Sequence, residues 1–112
     1  MKYTKYNGGV AADCFSGPQV ATVLSKAADY TLSDAEKRFV VEATFTAASK
    51  ALVADLEEGQ SIIVVNAGGT NAFTLKNLSG DTGTSVGVGK AALLRASRTA
   101  NASVITILTD GT

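Results

Sequence analysis

From Phe39 to Leu108 the chain repeats one pattern, a short apolar segment followed by a polar break, about every ten residues. The segments are "FVVEATF", "KALVADL", "SIIVVNA", "AFTLKNL", "GKAALLRAS" and "ASVITILT". The breaks, "EEGQ", "NAGGTN", "SGDTGT" and "RTANAS", are rich in Gly, Asn and Asp, the residues that turns require. Such spacing predicts many short strands and is the mark of a β-sandwich or small barrel. Phe73, Leu75 and Asn77 alternate with Thr74 and Lys76, and Val104, Thr106 and Leu108 with Ile105 and Ile107, the period of two that a strand imposes. The expected fold is all-β, a jelly-roll-like sandwich or small barrel.

"SIIVVNA" and the last strand are apolar on both faces. One face of each is expected to fill the core and the other to meet a neighbouring subunit, which predicts a homo-oligomer.

The start of the chain is different. "MKYTKYNGGVAADCFSG" has no sustained period and is expected to be an extended arm, either a free terminus or a docking peptide that orders on a partner. Next, Pro18 suits a first helical position, and Val20, Val23, Leu24 and Ala27 fall at the spacing of one helix face, so "PQVATVLSKAA" is expected to form a short amphipathic helix. Residues 1–28 are thus assigned to arm and helix, and 29–112 to the β-module. Within the module, Ser33 and Glu36 have capping-box spacing, enough for one helical turn before the first strand.

Composition excludes several function classes. The 112 residues suit one domain, and the 10 Lys and Arg balance the 10 Asp and Glu, so no broad attraction to nucleic acid or an anionic membrane is built in. Histidine is absent and Cys14 is the single cysteine, which removes disulfide frameworks, common zinc clusters and Cys-His catalysis. The apolar runs are far shorter than the ~20 residues of a membrane helix, and the N-terminus has no apolar stretch of the signal-peptide kind. Neither a metal nor an organic cofactor is expected.

Three motifs invite a catalytic reading. "GVGKAA" fits the G-x-G-x-x-G/A turn of dinucleotide-binding folds, with Asp110 downstream, but that turn needs an apolar strand before it and a helix after it. Here "SGDTGTS" precedes it, and Thr84 and Ala91 break the alternative phosphate-loop pattern. "DTGT" contains the D-T-G triplet of aspartic proteases, which need two such aspartates, and only Asp81 has that context. Glu57 and Glu58 are adjacent and read as solvated turn charges rather than as a hydrolytic pair. Lys90 reads as a strand-edge lysine, and Lys90, Arg95 and Arg98 lack the interleaved aromatics of a nucleic-acid groove. No catalytic residue is assigned.

The order of segments, "TLSDAE" then "VVEATFT", "SIIVVNAGGTNAFTLKN" and "GDTGTSVGVGKAALL", resembles a β-module of tailed-phage virion proteins, especially small head-decoration, head-fibre and tail-fibre proteins. The likeness covers roughly residues 29 to 109. It implies a non-enzymatic structural protein, made in the host cytoplasm and placed on the outer head surface. Its partners would be the major capsid protein and further copies of itself, a trimer being the leading expectation. The arm would be the anchor, with Tyr3, Tyr6 and Phe15 as its aromatic contacts, and Gly87 and Gly89 would be turn glycines between two strands. The alternatives are a tail, fibre or adhesion component that contacts a host receptor and, more distantly, a nucleotide-binding enzyme using "GVGKAA".

Overall fold

The computed structural model of the protein describes residues 20–108. Nine strands form two sheets: β1 Thr22–Lys26, β2 Tyr30–Thr31, β3 Val40–Phe45, β4 Lys50–Val53, β5 Ser61–Asn66, β6 Phe73–Lys76, β7 Thr84–Val86, β8 Ala91–Arg95 and β9 Val104–Ile107. The larger sheet has the order β1-β3-β5-β8-β9, and the smaller β2-β4-β6-β7. The two pack over one core, so the expected all-β, sandwich-like fold is the observed one.

The path of the chain is not that of an antiparallel jelly roll. Strands alternate between the sheets through β6, and β1, β3 and β5 run parallel, as do β2, β4 and β6. The chain therefore coils: Thr22 stacks on Val41 and Val41 on Val64 in one sheet, while Tyr30, Leu52 and Leu75 stack in the other. Three turns of this coil are then closed by a reversal. β7 returns antiparallel to β6, β8 returns antiparallel beside β5, and β9 turns back again antiparallel to β8 at the sheet's far edge.

Period-two patterning sets the core. In β3, Val41, Ala43 and Phe45 are buried and alternate with half-buried Val40, Glu42 and Thr44. Ile62 and Val64 of β5, Phe73 and Leu75 of β6, and Ala92 and Leu94 of β8 do the same. Phe45 and Phe73 meet across the two sheets with ring centroids 5.0 Å apart at 44°, a tilted aromatic contact.

Two asparagines hold the corners. Asn66 Nδ2 donates to the Asn71 and Val86 carbonyls at 2.9 and 3.0 Å, and its Oδ1 accepts from Gly68 N–H at 3.0 Å. Asn77 accepts from Leu56 N–H at 2.7 Å and donates to the Leu56 and Ser97 carbonyls at 3.2 and 3.1 Å. Both side chains are buried where the chain leaves a strand, and they bind the backbone groups that no ladder reaches.

The helix expected over residues 18–28 is replaced by strand β1. The spacing of Val20, Val23, Leu24 and Ala27 would suit a helix with a neighbour to cover that face, but only Leu24 of the four is buried, and Val23 is 73% exposed. Parallel pairing with β3 overrides local preference, and β1 belongs with the β-module rather than with the arm. The single turn expected at Ser33 and Glu36 is present as a 3-10 turn, Asp34–Glu36.

Candidate interaction surface

The residues singled out in the sequence fall into distinct places. Gly87 and Gly89 lie in a tight turn from β7 to β8, closed by Lys90 N–H to the Gly87 carbonyl at 3.0 Å. Gly89 has φ +76°, which favours glycine, whereas a side chain at Gly87 would meet only the flexible stem of Lys90. Strand β8 follows, where a dinucleotide turn would need a helix. Lys90 does not guard an edge, because β8 lies between β5 and β9.

Asp81 of "DTGT" is a loop clasp. Its carboxylate accepts Leu78 N–H at 3.1 Å and Asn101 N–H at 2.8 Å, while Asn101 Oδ1 accepts Thr82 N–H at 2.7 Å. Neighbouring Gly83 has φ +74°, and a side chain there would lie 2.6 Å from the Leu75 carbonyl, so this position needs glycine.

Glu58 is more than a solvated charge, since it accepts Arg98 N–H at 2.8 Å and the Ser97 hydroxyl at 3.3 Å. Arg98 also bridges to Asp55 at 2.8 Å and to the Leu56 carbonyl at 3.0 Å. The Arg98 guanidinium holds the Asp55 carboxyl below the usual carboxylate range. At the first corner, Glu36 accepts from the Tyr30 hydroxyl at 2.6 Å and from Ser33 N–H at 2.9 Å. The Tyr30 bond is the main cause that lowers the Glu36 carboxyl and, reciprocally, raises the Tyr30 phenol. Asp81, Glu58, Asp55 and Glu36 each spend their oxygens holding the chain's own loops.

The outward face of the larger sheet has a different character. Register places Val40, Ile63 and Leu93 in one row with Thr106, and Val65 and Ala91 in the next. Val104, 57% exposed, and Leu108, 50% exposed, extend the apolar surface along the β9 edge, and Val23 lies across the sheet on β1. Both "SIIVVNA" and the last strand thus present apolar side chains outward as well as inward.

The described chain begins beside the opposite edge. Arg38 Nη1 donates to the Val20 carbonyl at 3.4 Å, and Phe39, 59% exposed, borders an open cleft of about 620 Å³ with Lys37, Leu56 and Ile62. Tyr3, Tyr6, Phe15, Cys14 and Pro18, and likewise Asp110, lie outside the described residues. Among the described residues, no group of three or more His, Cys, Asp or Glu is arranged to hold a metal, and no helix is long and apolar enough to cross a membrane.

The fold and surface define a class, a coiled two-sheet β-module with one apolar outer face. No family model, curated protein or solved structure matches the chain.

Proposed function

We propose that the protein is a non-enzymatic structural component of a phage particle, a decoration or head-fibre protein on the outer head surface. It associates with copies of itself through the β-module and binds the major capsid protein through residues 1–17. The observation that carries this reading is the division of labour among side chains. Buried and half-buried polar groups are turned inward to clamp loops, while an apolar sheet face is left outward, as suits a protein that works by packing against others. The resemblance in segment order supplies the setting. Several arms joined through the β-modules would act together, so a modest affinity per arm would hold firmly.

The test is co-sedimentation of the full-length chain, and of a chain lacking residues 1–17, with phage heads stripped of accessory proteins. Saturable binding by the full-length form alone is expected, with the truncated form still folded by circular dichroism. Binding by the truncated form would sink the anchoring role. No binding by either would move the reading to a tail, fibre or adhesion component.

A further inference from the structure

Among the five strands of the larger sheet, only Glu42 on β3 and Arg95 on β8 place a charge on the outward face. β3 and β8 flank the central strand β5 on its two sides. Glu42 is in register with Val65, and Arg95 with Ser61, so the midpoint of the diagonal between them falls on Ile63, midway between Ser61 and Val65. Among the described residues neither charge belongs to an ion pair. Around the midpoint lie Val40, Leu93, Val65 and Ala91.

A face built this way is complementary to itself. A two-fold axis lying in the face, through Ile63 and perpendicular to that diagonal, sets Glu42 of one copy over Arg95 of the other and Arg95 over Glu42. One operation forms both ion pairs and brings the two apolar centres together. A three-fold contact is heterologous and would not make the two pairs equivalent.

We propose that two copies of the chain pair face to face through the larger sheet, with reciprocal Glu42–Arg95 contacts framing an apolar centre at Ile63. The pairing rests on the reading of the β-module as the self-associating part of the chain and replaces the three-fold expectation with a two-fold one. It does not depend on what the arm binds.

Sedimentation equilibrium of the full-length chain tests it. The wild type should have the mass of a dimer. Glu42→Arg and Arg95→Glu should each weaken association about tenfold or more at low salt, because each sets like charges opposite one another twice. The double variant E42R/R95E should recover the wild-type association, since the swapped charges are again complementary. Ile63→Lys should give a folded monomer, whereas Thr74→Lys on the smaller sheet should leave the dimer intact. A monomeric or trimeric wild type would overturn the proposal, as would a double variant no better than the weaker single one. Pairing without binding to phage heads would remove the particle reading and leave this interface standing. Binding to heads by a wild-type monomer would do the reverse.

Discussion

The two sheets are alike on the inside and unlike on the outside. Inside, Leu94 and Val64 of the larger sheet face Leu75, Leu52 and Phe73 of the smaller, all at or near zero exposure. Outside, the smaller sheet presents Thr31, Thr74, Lys76 and Ser85, with Val53 almost covered in the same rows. The larger sheet presents Val40, Ile63, Val65, Leu93 and Val104. Folding explains the inner faces of both sheets, because one core needs two apolar walls. It does not explain a second apolar wall on one sheet, and the difference directs the search for a partner to that sheet.

The comparison breaks if the inner faces are not equivalent. Leu75→Ala and Leu94→Ala should each cost about 2–5 kcal/mol in urea unfolding, the usual loss for a fully buried leucine that leaves a cavity. Both should unfold the protein in a single transition. A transition that splits for one variant alone would mean that the sheets hold separate cores.

What the sequence made legible follows the same division. Inner faces were readable because alternation is strict in β3, β5 and β6, where every second residue is buried and those between are more exposed. β2, with 2 residues, and β7, with 3, are too short to carry a period. β1 fitted a helical spacing, and only its pairing with β3 decides otherwise. The parallel coil was hidden because its corner between β5 and β6, "AGGTNA", has the Gly and Asn content that hairpins also use, while "TAAS" between β3 and β4 carries no turn signal that tells a crossover from a hairpin. Asn77 was legible as a member of the Phe73 and Leu75 face and Asn66 only as the start of a turn-rich break, but that both buried side chains stand in for missing backbone partners was not. The outward apolar face was legible as a two-faced apolar pattern in β5 and β9. Its paired charges were not, because Glu42 and Arg95 become neighbours of one centre only through strand order.

A corner is the next place to press, since it joins the sheets that the core equalises. Asn77 follows β6 of the smaller sheet and bonds Leu56, between β4 and β5, and Ser97, just beyond β8 of the larger. Asn77→Ala should cost about 3 kcal/mol, because it leaves the buried Leu56 N–H and the Leu56 and Ser97 carbonyls without their side-chain partner. Asn101→Ala, at an exposed clasp, should cost about 1 kcal/mol. Equal losses in urea titrations would show that burial does not set the value of these clamps.

The smallest effect expected is electrostatic and sits on the smaller sheet's edge. Glu36 is held below its ordinary value chiefly by the Tyr30 hydroxyl and then by Ser33 N–H. A lowered carboxyl contributes stability that is fully present above its unfolded value and is lost as pH falls through its folded value. Tyr30 is raised, chiefly by the same bond, so its contribution is present below the ordinary phenol value and is lost as pH rises through the folded one. The bond between them therefore weakens at both ends of the pH scale. Asp55, lowered by Arg98, adds to the acid limb with the same sign as Glu36. All these groups are at most half-buried, so salt should flatten the dependence. Glu36→Gln should shrink the acid loss of stability, and Tyr30→Phe should remove the Tyr30 share of the alkaline one, each read from urea midpoints across pH at low salt. An acid limb unchanged in Glu36→Gln would mean that the clamp at β2 contributes nothing in solution, leaving the Asp55–Arg98 bridge to account for it.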